Sequence, residues 1–197
     1  MNVDTFSILI VIFVILISYR IYYNSDLLQL KCIISDVDGE KYCVRERNKL
    51  ELAADKLANV NSNLKAIVAY CDQEYPDKDI TIRMNKGYNP EKIMETLPTS
   101  EYTAYSENKG EKLAFCLDTK KGSQGKLIDL NTLTYVAIHE LAHIGTKSIG
   151  HTPEFWKNFK FLLNVAKDIN VYEPIDYKNN PQQYCGMTIS DNPYFDS

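Results

Sequence analysis

The stretch His139-Glu140-Leu141-Ala142-His143, followed by His151, decides the fold that we expect for this chain. All three histidines of the 197 residues lie in this window. On a helix, residues i and i+4 project from the same face, so the imidazoles of His139 and His143 can converge on one ion. Glu140 lies beside them and is the residue type that such a site uses as a general base for water. The pattern predicts a helix that carries a metal site.

The number and type of ligands favour a catalytic zinc site. Three protein ligands with one open position are typical of catalytic Zn²⁺, whereas structural zinc sites are closed by four ligands, usually with cysteines. Here His139, His143 and His151 supply three ligands and Glu140 supplies the catalytic carboxylate. The alternative is that each histidine is an ordinary buried residue, because H-E-x-x-H also occurs by chance. The third histidine and the absence of histidines elsewhere favour the metal site.

The segments around this window carry helix signals. Asp129 or Asn131 can cap the site helix, and Gly145 is expected to end it. Thr152-Pro153-Glu154 predicts the start of a further helix, with a cap and a proline at the first position. The apolar stripe of that helix comprises Phe155, Phe159, Leu162, Leu163, Ala166 and Ile169. Phe155 and its neighbour Trp156 are expected to be core residues.

Hydrophobic periodicity divides the residues before the site helix into helices and strands. In chain order we expect a hairpin of Cys32–Val37 and Glu40–Val44, a long amphipathic helix over 46–73, a strand over Ile80–Met84, a short helix from Asn89 to about Thr96, strands over Tyr102–Ser106 and Leu113–Leu117, and a loop over Lys120–Lys126. The last of these strands could offer its edge to an extended peptide, so a protein or peptide substrate is expected.

The window His139 to His143, with Gly150-His151-Thr152-Pro153-Glu154-Phe155-Trp156, resembles the zinc peptidases of the SprT-like (Spartan) and WLM families. The resemblance covers roughly residues 113–166. It implies zinc bound by the three histidines and Glu140 as the catalytic acid and base. It also implies an α+β fold, a small zincin-like domain with a long helix, a small mostly antiparallel sheet, an active-site helix and a C-terminal helix. The DNA-binding modules of many members are not detected.

The first 24 residues predict a transmembrane anchor. Apolar character extends from Val3 to Tyr23, about 21 residues or roughly 31 Å of helix, which is enough to cross a bilayer. The alternatives are a cleaved signal peptide and a buried core helix. The segment before the apolar run offers Asp4 and no basic residue, which argues against a signal peptide. We therefore expect a single-pass anchor before the catalytic domain.

Charges and cysteines predict the side of the membrane. Basic residues follow the span and none precedes it, so the positive-inside rule puts the domain in the cytoplasm. The five cysteines are an odd number at irregular spacing, which favours reduced thiols and a cytosol-like compartment. Cys185 is then either a local structural thiol or a thiolate that occupies the open zinc position.

Composition limits the remaining choices. The chain has 22 Lys+Arg against 26 Asp+Glu, a net charge of -4, which argues against a nucleic-acid partner. We expect an anchor over 1–24, a linker and hairpin over 25–45, a zincin-like domain over 46–172 and an irregular segment over 173–197. A catalytically degenerate membrane-tethered binding module and a zinc hydrolase of a non-peptide amide or ester stay open as functions. The presence of Glu140 argues against the former, and the sequence leaves the oligomeric state open.

Overall fold

The structure is a computed structural model that describes residues 4–23, 25–120 and 126–196. Most of the loop expected over Lys120–Lys126 therefore lies outside the described residues. The helices are α1 Thr5–Tyr23, α2 Asp26–Gln29, α3 Leu50–Glu74, α4 Asp79–Gly87, α5 Leu130–Gly145 and α6 Pro153–Asp168. The strands are β1 Leu30–Ile34, β2 Lys41–Arg45, β3 Ile93–Glu95, β4 Ala104–Glu107, β5 Lys112–Phe115, β6 Gln182–Tyr184 and β7 Met187–Ile189, and a 3₁₀ turn covers Pro193–Phe195.

The main sheet has five strands in the order β1-β2-β3-β5-β4. The α+β class is confirmed, but the sheet is mixed, because β1–β2 and β4–β5 are antiparallel while β2–β3 and β3–β5 are parallel. The helices α3 and α4 lie between β2 and β3 in the chain, and such a helical crossover brings the next strand back in the same direction. The prediction that β5 offers a free edge is wrong, because β5 lies inside the sheet and β4 is the edge strand.

Two short segments differ from expectation. Ile80–Met84 belongs to helix α4, in which Ile80, Thr81 and Met84 are buried. Residues Asn89 to Thr96 form a turn and strand β3, which pairs with both β2 and β5. A five-residue apolar pattern fits a strand and a helix equally well, and pairing in the centre of a sheet outweighs the local helix-start signal of Asn89-Pro90.

The hairpin β1–β2 and the long helix α3 are confirmed. The hairpin register pairs Cys32 with Cys43, and α3 buries one face that includes Leu57, Leu64 and Ile67. Residues 25–45 are not a separate linker, however, because β2 pairs with β3 inside the main sheet. The boundary expected at residue 46 thus cuts through one layer of the domain.

The segment expected to be irregular contains regular elements in its described part, residues 173–196. Strands β6 and β7 form an antiparallel hairpin, and Asn192 caps the 3₁₀ turn. A disulfide between Cys116 and Cys185 ties the turn of this hairpin to the end of β5. The segment is short and rich in proline, so its structure depends on contacts with the rest of the domain.

The prediction of reduced thiols is wrong. Cys32–Cys43 and Cys116–Cys185 are disulfides, and Cys71 is a buried free cysteine. The first pair faces across one hairpin, but the second joins residues 69 apart in the chain, which spacing alone does not reveal. Cys185 is paired and is not the thiolate considered for the zinc position. The cytoplasmic orientation keeps only the charge asymmetry as its support.

Helix α1 is long and apolar enough to cross a membrane by its length and composition. It has 19 residues, and none of them is buried against the domain. Helix α5, in contrast, is the centre of the fold and packs against α3, α4 and α6. Gly145 is the last residue of α5, and a Cβ there would lie 2.5 Å from Cγ1 of Ile80 in α4. This glycine permits close helix packing.

Candidate metal centre

Helix α5 carries the first two histidines as predicted. The Asp129 carboxylate caps the helix by accepting from the Thr132 N–H at 2.8 Å. His139 and His143 lie one turn apart with ring centroids separated by 4.9 Å. Glu140, between them, is buried, while both imidazoles are partly exposed. The helical period therefore places the two rings at the surface of the core, and the Glu140 side chain lines the same cleft although it is largely buried.

A tightly bonded loop brings His151 back to the helix. The Glu154 carboxylate accepts hydrogen bonds from the N–H groups of Lys147 and Ser148, each at 3.2 Å. Gly150 has a φ of +82°, a conformation that side chains rarely adopt. Thr152 then caps α6 by accepting from the Phe155 N–H. The position of His151 is thus fixed from both of its sides.

Lys109 also holds this loop in place. Its ammonium group donates to the carbonyl oxygens of His143, Thr146 and Ser148 at 3.1, 2.8 and 3.2 Å. Lys109 lies in the left-handed turn between β4 and β5, and it satisfies carbonyls at the end of α5. The role of Lys109 could not be predicted from the sequence, because its partners are backbone atoms more than thirty residues away.

The three imidazoles converge on one point. Nε2 of His151 lies 3.0 Å from Nε2 of His139 and 3.2 Å from Nε2 of His143. A neutral imidazole nitrogen has one proton or one lone pair, so hydrogen bonding satisfies only one of these two contacts well. Tetrahedral Zn²⁺ with Zn–N bonds of about 2.0–2.1 Å holds its ligand nitrogens about 3.3 Å apart. The donor set fits such an ion in type and spacing.

The aromatic ring of Phe155 packs against all three histidines. The Phe155 ring centroid lies 4.9, 4.3 and 4.8 Å from those of His139, His143 and His151. Phe155 is fully buried, which confirms it as a core residue, but Trp156 is 44% exposed and lines the cleft, so its assignment to the core is wrong. A helix turns about 100° per residue, so Phe155 and its neighbour cannot share one face.

Burial keeps the imidazoles of His139 and His143 neutral. It lowers the pKa of His139 to about 3 and that of His143 to about 4, helped by repulsion from the neighbouring histidines. Neutral imidazole is the form that binds a metal. Burial also raises the pKa of Glu140 to about 7. A carboxyl group with such a pKa can accept and release a proton near neutral pH.

The histidines lie in an open cleft of about 820 Å³. The edge strand β4 forms one wall, and α5 forms the floor. The carbonyl of Thr103 accepts from the Cys116 N–H, so by the alternation of an antiparallel ladder Ala104 and Ser106 direct their N–H and C=O groups away from β5. The remaining walls comprise Lys109, Tyr135, Val136, Ile149, Trp156, Tyr184, Met187, Ile189 and Pro193.

Two tyrosines of the cleft are engaged elsewhere. The Tyr135 hydroxyl donates to the Asp191 carbonyl at 2.9 Å, and the Tyr184 hydroxyl donates to the Thr103 carbonyl at 3.0 Å. Tyr184 is buried, and its hydroxyl ties the C-terminal hairpin to the start of β4. Both residues brace the cleft walls, and neither has a hydroxyl proton directed at the histidines.

A buried ion network supports the wall beside Tyr184. Glu95 of β3 contacts both Arg45 and Arg47, and Arg47 also binds Asp118 at 3.0 Å. Burial raises the pKa of Glu95, and Arg47 opposes this shift. The Asp118 carbonyl accepts from the Cys185 N–H at 2.9 Å. The network and the disulfide therefore attach the C-terminal hairpin to the main sheet at adjacent points.

Proteins of large DNA viruses resemble this chain. An uncharacterized protein of Acanthamoeba polyphaga mimivirus is 31% identical over 164 residues, which cover 80% of this chain and 81% of that protein. The chain belongs to the same family as the mimivirus protein. Uncharacterized proteins of invertebrate iridescent viruses 6 and 3 match shorter regions, at 32% identity over 75 residues (38% of this chain and 41% of the relative) and 39% over 59 (30% and 36%). No family model and no solved structure matches the chain.

Proposed function

We propose that this protein is a membrane-anchored, zinc-dependent metallopeptidase with a zincin-like fold. The observation that carries the proposal is the convergence of three imidazole nitrogens beside a buried carboxyl group at the floor of an open cleft. His139, His143 and His151 would hold the ion, and the open cleft would give water and substrate access to it. Helix α1 would anchor the chain in a bilayer.

Zinc in such a site lowers the pKa of water and polarises the scissile carbonyl. The chain's own residues perform the remaining tasks. Glu140 takes the proton of the attacking water and transfers it to the leaving amine, since burial holds its pKa near neutrality. The outward N–H and C=O groups of Ala104 and Ser106 can pair with an extended peptide and align it across the histidines.

The first test compares three proteins after incubation with zinc: the parent chain, Glu140→Gln and His151→Ala. We expect Glu140→Gln to retain zinc and to lose peptide hydrolysis by a factor of at least 100, because loss of a general acid and base typically costs about 10²–10⁴. His151→Ala should lose zinc, measured by metal content after gel filtration. Glu51→Gln, at an exposed position of α3, is a matched carboxylate control outside the centre. Unchanged turnover in the Glu140 variant refutes the proposal.

Two other functions give different results in the same experiment. A degenerate binding module would hold peptides without cleaving them, in the parent chain and in the Glu140 variant alike. A hydrolase of a non-peptide amide or ester would retain zinc and cleave small esters but no member of a peptide library. The outward backbone groups of Ala104 and Ser106 favour the peptidase, because an extended peptide is the ligand that fits a strand edge.

The side of the membrane that the domain occupies is tested separately. The basic residues after α1 favour the cytoplasm, whereas the two disulfides favour an oxidising compartment. Because four of the cysteines form disulfides, reduced thiols no longer support the cytoplasmic orientation. Protease protection of the carboxyl terminus in sealed membrane vesicles distinguishes the two orientations.

A further inference from the structure

The end of the anchor is bonded directly to the catalytic domain. The side-chain amide of Gln29 donates to the carbonyls of Tyr22 and Tyr23 at 2.9 and 2.7 Å. The Thr99 hydroxyl also donates to the Tyr23 carbonyl, at 2.8 Å. Thr99 belongs to the loop that leads into β4. One hydrogen-bonded junction therefore joins the anchor to the edge strand of the cleft.

The length of α1 fixes where this junction lies. Nineteen residues of α-helix are about 28 Å long, and the hydrocarbon core of a bilayer is about 30 Å thick. The whole helix is needed to cross the core, so no part of it remains as a stalk. Tyr23 and the loop at Thr99 must then lie at the membrane surface.

A second depression adjoins both this junction and the cleft with the histidines. A groove of about 640 Å³, which we call the anchor groove, extends from Tyr23 and Thr99 along β4. Tyr102, Tyr105 and Ser106 line the anchor groove and also line the cleft with the three histidines. Both depressions therefore border β4, the strand whose edge would align a peptide.

The cleft also presents exposed apolar side chains. Among its lining residues Tyr102 is 67% exposed, Ile149 88%, Trp156 44% and Met187 49%. Such side chains favour contact with apolar residues of a ligand, since burial of apolar surface is the main favourable term in association. The lining of the cleft therefore suits an apolar segment better than a charged one, whereas the anchor groove also offers Glu101, Glu107 and Lys112 to polar parts of a chain.

From these observations, and resting on the proposed peptidase function, we infer the substrate class: an extended, apolar, membrane-proximal segment of another membrane protein. This segment would leave the bilayer beside α1, pass along the anchor groove and pair with β4. The anchor would then act as a ruler, because it holds the cleft close to the surface from which the substrate emerges.

The test uses the full zinc-loaded chain in phosphatidylcholine vesicles with two single-pass reporter proteins. Both reporters carry one identical apolar cleavage segment. In the near reporter it follows the transmembrane helix directly, and in the far reporter a 40-residue Gly/Ser linker intervenes, which spans about 35 Å on average. We expect cleavage of the near reporter to be at least ten-fold faster.

A second enzyme makes the test reciprocal. A 20-residue Gly/Ser linker inserted after Asn24 releases Tyr23 from Gln29 and Thr99 and moves the domain about 25 Å from the bilayer on average, while every residue that lines the cleft with the histidines is kept. This variant should lose the preference for the near reporter and should still cleave a detergent-free soluble peptide with the same segment at the parent rate. A preference that survives the insertion overturns the inference.

The outcomes separate the inference from the function on which it rests. Equal rates for both reporters in the parent chain refute the membrane-proximal substrate, while the peptidase assignment stands. No cleavage of the soluble peptide or of either reporter refutes the peptidase. Photo-crosslinking of the Glu140→Gln chain to each reporter measures capture without cleavage, and equal capture of the two reporters also overturns the inference.

Discussion

The disulfide between Cys116 and Cys185 provides a prediction that the structure quantifies. It closes a loop with a sequence separation of 69, whereas Cys32–Cys43 closes one of 11. In the chain-entropy description, these separations correspond to stabilisation of about 4.4 and about 2.8 kcal/mol at 25 °C. The double variant Cys116→Ser/Cys185→Ser should therefore lose more free energy of unfolding than the matched variant at the hairpin pair.

The assay is denaturant unfolding of the full chain in detergent, followed by fluorescence. Trp156 is the single tryptophan of the chain and lies beside His151, with ring centroids 5.5 Å apart, so its signal reports on the candidate centre. We expect the long-range variant to unfold at the lower denaturant concentration. The parent chain, denatured without reductant, should contain one thiol that alkylates, and five after reduction.

The zinc content of the folded double variant shows whether removal of the disulfide also damages the candidate metal centre. The three histidines lie on α5 and just before α6, and the disulfide holds the C-terminal hairpin, so zinc content should remain unchanged in the folded double variant. Two results would refute the reasoning: a smaller loss of stability than in the hairpin variant, or five reactive thiols without reduction.

Two further predictions concern the support of α5. Lys109→Met removes the ammonium group that three carbonyls share, so zinc affinity should fall about 10–100-fold in competition with a chelator, as is typical for residues that orient metal ligands; Lys147→Met, an exposed lysine of the same loop, should leave affinity unchanged, and equal effects would contradict the role of Lys109. Gly145→Ala places a methyl group against Ile80 and should lower the free energy of unfolding by about 1–3 kcal/mol, measured by denaturant titration; an unchanged midpoint would show that α4 and α5 can separate.

Elements with strong local signals could be predicted from the sequence. The helices α5 and α6 begin where Asp129 and Thr152 predict their caps, and α3 follows its apolar period. The hairpin β1–β2 forms around the Asp38-Gly39 pair. In each of these elements, hydrogen bonds and apolar spacing within a few residues determine the conformation.

Elements whose conformation depends on distant partners could not be predicted. The segment from Ile80 to Met84 is too short for its apolar pattern to distinguish a strand from a helix. It forms a helix that packs against α5 at Gly145, and this contact is visible only in the tertiary structure. The position of β4, rather than β5, at the edge of the sheet also depends on a distant partner, because β5 pairs with β3. Propensity is a weak prior there, because burial between other elements carries more free energy.

The sequence by itself determined the donor set of the candidate centre, since the spacing of His139, Glu140 and His143 on a helix fixes their common face. Only the tertiary structure decided that His151 reaches the same point and that Lys109 braces its loop. It also decided that Cys116 pairs with Cys185. The physical reason is range: a helix repeats its geometry every few residues, whereas these contacts form only when the packed core has brought remote parts of the chain together.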